Sequence, residues 1–161
     1  MPQLVKGGKY VFAWSVVSNS GRIKIPGEAQ TEYGLKTDEK IIIMNGSRTS
    51  KGFAITYKER IQNSILYNQM AEYPDLTHFR ELENGMIKIK KRIYTWSEID
   101  SEGYFHIPQS TLNHFDVDLN DRLLVVRGSG FALGFIKTGP IVEEALKHPG
   151  IITCSQKSGS L

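Results

Sequence analysis

Residues 9–47 can be laid over residues 91–129 at a constant offset of 82 positions without a gap. Eight of the thirty-nine aligned positions are identical: Lys9/Lys91, Trp14/Trp96, Ser15/Ser97, Gly21/Gly103, Ile25/Ile107, Pro26/Pro108, Gly46/Gly128 and Ser47/Ser129. Unrelated sequences of average composition would share roughly two or three. Self-similarity at this period fixes the architecture before any single motif is read. It also provides an internal control, because a residue that the shared fold needs should recur in both copies. After residues 48–51, the match resumes with Gly52-Phe-Ala-Ile against Gly130-Phe-Ala-Leu, which implies a first hairpin loop four residues longer than the second.

Each copy carries the same succession of local signals. Residues 10–17 and 93–99 are rich in β-branched and aromatic side chains and read as strands. A polar turn with Gly21 or Gly103 follows, at the position most in need of a positive φ. A short alternating strand comes next, residues 22–25 or 104–107, closed by Pro26 or Pro108, which marks a switch to helix. Short helices are expected over residues 27–33 and 109–115, then the most apolar strands, residues 40–44 and 122–126, whose unbroken apolarity requires cover on both faces. Beyond each hairpin the spacing of apolar residues predicts a further helix, over residues 58–72 and 140–147, each stopping at an X-Pro pair. The organisation expected is therefore a first repeat over 9–76, a polar connector over 77–90, a second repeat over 91–151 and a small polar tail over 152–161 with Cys154 as a bystander. The fold class is mainly β with short α-helices.

Charge and cysteine content narrow the function without naming it. The 161 residues carry a net charge of +3, divided as +4 over residues 1–80 and −1 over the remainder. This bias is compatible with nucleic acid and does not establish it. A single cysteine excludes an internal disulfide and a multi-cysteine zinc site. No apolar run is long enough for a membrane helix or a secretory leader, so a cytoplasmic protein is the expectation. The four histidines lack metal-ligand spacing, no nucleophile–base–acid constellation is present, and Glu143-Glu144 suits the first turn of a helix. No enzyme activity and no cofactor are expected. Residues 116–121 resemble the start of a calcium loop, but Asp121 replaces the required Gly and Arg127 the terminal Glu. They align with residues 34–39 and read as a repeated helix-to-strand turn.

The motif Gly21-Arg-Ile-Lys-Ile-Pro26, with Gly34-Leu35, Asp38 and the apolar residues 41–43, resembles the SpoVT/AbrB (AbrB/MazE) family. The second copy keeps Gly103, Ile107, Pro108, Val117, Asp121 and the apolar residues 123–125, but has Tyr104 in place of the family's Arg. The resemblance implies a swapped-hairpin β-barrel, normally built by two chains, and a role as a DNA-binding transcriptional regulator. With both halves in one polypeptide, the expectation is an AbrB-like barrel formed as an intrachain pseudo-dimer of the two repeats; pairing with a second chain as a homodimer is the alternative.

The family's basic DNA-contact positions correspond here to Ser15, Arg22, Gln30 and Thr31, and in the second copy to Ser97, Tyr104, Leu112 and Asn113. Only Arg22 retains the charge. Replacement cations are available in Lys24, which should share a strand face with Arg22, in Arg48 and Lys51 of the longer loop, in Lys9, and in the run from Lys88 to Arg92. The candidate DNA-binding residues are therefore Arg22, Lys24, Arg48, Lys51 and Lys9, with DNA as the expected partner. The competing reading is an AbrB-like barrel that has lost DNA binding and acts as a protein- or ligand-interaction module, with the added helices as its partner surface.

Overall fold

The computed structural model describes residues 9–128 and 132–154. Its first repeat contains β1 (Val11–Val16), β2 (Arg22–Lys24), α1 (Gly27–Tyr33), β3 (Lys40–Asn45) and β4 (Phe53–Thr56), followed by α2 (Lys58–Ile61), α3 (Ile65–Met70) and α4 (Pro74–Thr77). A 3-10 turn (Glu83–Gly85) leads to β5 (Ile87–Ile89). The second repeat then runs through β6 (Arg92–Glu98), β7 (Tyr104–His106), α5 (Gln109–Asn113), β8 (Arg122–Arg127), β9 (Leu133–Ile136) and α6 (Pro140–Ala145). The fold is mainly β: an antiparallel seven-stranded sheet of order β1-β8-β9-β4-β3-β6-β5, and a separate two-stranded ribbon, β2-β7. The ladders do not close into a barrel, since β1 and β5 remain as the edges of the sheet.

Strand pairing crosses between the repeats. The first strand of each copy pairs with the third strand of the other, β1 with β8 and β6 with β3, in matching registers: Trp14 opposite Leu124, and Trp96 opposite Ile42. The ribbon pairs the two second strands about Ile23 and Phe105, and β4 meets β9 about Ala54 and Gly134. Backbone bonds repeat the symmetry. Ile25 N donates to Gly103 O and Ile107 N to Gly21 O; Val17 N donates to Asp121 O and Ile99 N to Glu39 O. The turns at 34–38 and 116–120 also match, with φ of 67° at Gly34 and Asp38 and of 61° and 73° at Asp116 and Asn120, which makes residues 116–121 a fold element, as their alignment implies.

The apolar strands β3 and β8 are covered on both faces. Ile41, Ile43, Leu123 and Val125 enter a central core roofed by the ribbon and by α1 and α5, where Phe53, Phe105 and Phe135 pack together. On the opposite face Ile42 and Met44 lie under α2–α4 with Tyr94 and Trp96, while Leu124 and Val126 lie under α6 with Trp14. The two tryptophans thus anchor separate outer layers. Trp14 is buried beside the Arg122 guanidinium, 4.1 Å from the ring centroid, and Trp96 donates its indole N–H to Arg80 O at 2.7 Å. A bulge at Phe12, between Val11 and Ala13, turns that ring into the central core, whereas its counterpart Tyr94 stays in the outer layer.

Four expectations need correction. The helix expected over 58–72 is broken, because the Ser64 hydroxyl accepts from Tyr67 N and starts a new helix. Pro74 is the first residue of α4, and Thr77 and Leu82 of the supposed polar connector are buried. The hairpin registers place Phe53 and Leu133 in equivalent positions, with Gly46 N bonded to Gly52 O and Gly128 N to Ala132 O. The first loop is therefore two residues longer, and the sequence match of Ala54 with Ala132 is off register, since Ala54 corresponds to Gly134. Finally, part of the expected tail belongs to the fold: Trp14 N donates to Ile152 O, and Thr153 bridges Trp14. Residues 155–161 lie outside the described residues.

Candidate nucleic-acid interface

Alternation along the ribbon puts Ile23 and Phe105 into the core and sends Arg22, Lys24, Tyr104 and His106 to the other face, where Arg22 pairs with His106 and Lys24 with Tyr104. The expectation that Arg22 and Lys24 share a face holds. What the crossed pairing adds is the acidic turn of the second repeat. Arg22 Nη2 lies 2.7 Å from Asp100 Oδ2 and 3.5 Å from Glu102 Oε1, and the guanidinium stacks 4.2 Å from the Tyr104 ring centroid. Lys24 Nζ donates to Glu102 O and lies 5.3 Å from the same ring.

The turn is held in place for this role. Asp100 Oδ1 accepts from the N–H groups of Glu102 and Tyr104, while Oδ2 takes the arginine. Partial burial pushes the Asp100 carboxyl up, but the backbone bond from Tyr104 and the Arg22 guanidinium outweigh it and hold the group below its ordinary range. The Arg22 guanidinium is correspondingly raised by its hydrogen bond to Asp100. The Arg22 guanidinium is thus paired inside the chain.

The other positions that the sequence resemblance aligns with basic contacts are also engaged internally. Ser15 is fully buried and donates to Lys24 O at 2.8 Å; its counterpart Ser97 donates to His106 O at 2.8 Å. Gln30 donates to Ile25 O, Thr31 to Gly27 O, and Leu112 is buried. Cys154 lies 3.9 Å from Lys24 O, and burial pushes its thiol up to about 11.

The remaining candidates do not join Arg22 and Lys24. Arg48 and Lys51 are exposed in the β3–β4 loop, which is fixed by bonds from Gly52 N to Phe115 O and from Lys137 and Thr138 N to Ser50 O. The length of β3, about 20 Å of extended chain, separates that loop from the strand end beside Glu98 and the acidic turn. Lys9 is exposed ahead of β1, next to Tyr10, whose ring carries the Arg127 guanidinium at 4.6 Å and whose hydroxyl donates to Glu28. Arg127 also grips Glu32 through two bonds of 2.6 and 2.7 Å, which lower the Glu32 carboxyl. Sequence reasoning missed Asp100, Glu102 and Tyr104 as partners of Arg22. The signal was present, because aligning Tyr104 with Arg22 and pairing the two ribbon strands sets the acidic turn beside the arginine.

The class these features define is a two-repeat, mainly β protein with crossed strand pairing and a polar face locked by its own charges. No helix among the described residues is long and apolar enough to cross a membrane, and no group of His, Cys, Asp and Glu among them could hold a metal ion. No protein-family model matches the chain, and no curated protein matches it.

Proposed function

We propose that this chain is a non-catalytic binding protein built as an AbrB-like pseudo-dimer, in which the face that would meet DNA in that family has become an internal lock between the repeats. The crossed pairings β1–β8 and β6–β3, with the self-paired ribbon, support a swapped-hairpin arrangement made by one polypeptide. The observation that carries the functional reading is the pairing of Arg22 with the Asp100 and Glu102 carboxylates under the Tyr104 ring, with Lys24 donating to the Glu102 carbonyl beside it. Phosphate affinity rests on cations free to displace counterions, and a guanidinium already facing two carboxylates releases few. Of the two readings the sequence allows, this favours the interaction module over a regulator that grips DNA through the ribbon.

The partner surface in this reading lies on the added layers. The exposed large apolar side chains, Ile65 at 78%, Leu146 at 62% and Ile152 at 67%, all belong to α3, the end of α6 or the segment beyond it, outside the repeated core. Charge removal tests the assignment. An Arg22→Gln/Lys24→Gln variant should bind a random-sequence DNA duplex at low salt as the parent does, while its unfolding midpoint falls. A tenfold loss of DNA affinity with unchanged stability would return the ribbon to service as a DNA-binding face. The regulator reading keeps one specific observation in its favour, a second set of cations at the other end of β3.

A further inference from the structure

Six cations lie on the β5–β6 hairpin and the β3–β4 loop. Lys90 and Lys91 form the two-residue turn between β5 and β6, with Lys90 at a φ of 57°. Together with Arg92, Asn45, Ser47 and Gln69 they line an open groove of about 460 Å³. Ser47 leads directly into Arg48, Lys51 closes the same loop, and Lys88 stands on β5. All six cations are exposed, and none makes an ion pair among the described residues. Elsewhere Arg22, Lys40, Arg80, Arg127, Lys137 and Lys147 each face a carboxylate, while Lys24 and Lys36 stand apart from one another without an ion pair among the described residues. A carboxylate, Glu72, borders an adjoining depression that shares Gln69, Ile89 and Lys90 and is flanked by Ile65 and Tyr73.

We propose that this groove binds the phosphate backbone of a nucleic acid. The inference rests on the binding-protein reading above but uses a different surface from the ribbon. Six unpaired cations around one hairpin and one loop repel each other, and a polyanion lying along them removes that repulsion while releasing its counterions. Protection of a sheet edge accounts for Lys88 on β5, but not for Arg48, Lys51 or Arg92. Lys90, Lys91 and Arg92 line the groove itself, and Arg48, Lys51 and Lys88 stand on the loop and strand that supply its other walls, a spread that fits a chain of phosphates better than a single small anion. The half-buried Tyr73 and the exposed Ile65 beside it offer apolar contact for sugars and bases.

The test is anisotropy of a labelled random-sequence DNA duplex titrated with the full chain between about 50 and about 200 mM salt. Binding should weaken by about a thousandfold across that range, as expected for five or so phosphate contacts. Lys90→Asn/Lys91→Gln, with Asn chosen because it tolerates positive φ, should reduce the logarithmic salt slope by about 2 and weaken binding at least tenfold. Lys36→Gln, an exposed site away from the groove, should leave affinity within about twofold. Absence of DNA binding at the lowest salt, or equal affinity and slope in the Lys90/Lys91 variant, overturns the site and leaves the interaction-module reading standing. The same is true if the variant abolishes binding to anionic phospholipid vesicles while DNA is never bound. DNA binding that survives at the groove variant and disappears in Arg22→Gln/Lys24→Gln overturns both.

Discussion

Gly21 and Gly103 share a φ of 82°, yet their surroundings differ in a way that the duplication makes measurable. A Cβ at Gly21 would press on the Ile107 backbone carbonyl, whereas one at Gly103 would meet the ends of the flexible Gln30 and Lys24 side chains. Both Ala substitutions incur the strain of a left-handed residue, about 1 kcal/mol or more. Gly21→Ala should be the costlier, by about another 1–2 kcal/mol because backbone must shift, and chemical denaturation of the two variants compares them directly. At the ribbon, Asp100→Asn should destabilise the protein by only about 1 kcal/mol at neutral pH, since Arg22 and Asp100 are 40% and 41% exposed and solvent screens the pair. The sign of its pH dependence follows from the lowered Asp100 carboxyl. That stabilisation is present above the unfolded value of about 4 and is lost as pH falls through the folded one. Parent and variant denaturation curves should therefore converge in acid.

At the scale of elements, the serine clasps explain why positions 15 and 97 carry small polar residues. Ser15 satisfies the Lys24 carbonyl while fully buried, so Ser15→Ala should cost about 1–3 kcal/mol by leaving a buried acceptor without its donor. Ser97, slightly less buried and also accepting from His106 N, should show a loss in the same range. The segment after α6 is similarly part of the structure. Ile151 is 6% exposed in the layer that covers Trp14, and Ile151→Ala should lower stability by about 2–4 kcal/mol in thermal or chemical denaturation. These elements were unequally legible. Strands, glycine turns and the Pro26 and Pro108 switches follow from β-branched content, positive φ and the missing proline donor. The breaks at Ser64 and Pro74 turned on capping by single side chains, and residues 152–154 join β1 through backbone bonds to which side-chain patterns are blind.

For the molecule as a whole, the repeat announced two equivalent halves, but not the crossed pairing that brings residues 78 or 80 positions apart together at Arg22, Asp100 and Glu102. Residues shared by the copies, such as Gly21/Gly103, Ser15/Ser97 and Trp14/Trp96, hold the frame. The cations divide between a lock on the ribbon, where Arg22 and Lys24 have no basic counterpart, and a set without ion pairs at the β5–β6 turn and the longer loop. That division was invisible in a list of cations, because an ion pair depends on which strands meet. The account stands on one polypeptide supplying both sides of every crossed pair, and sedimentation equilibrium over a wide dilution range examines this most directly. The result predicted is a folded species of 18.2 kDa whose mass and stability do not change with concentration. A species of twice that mass that unfolds as it dissociates would show that the crossed strands come from two chains, and would contradict it.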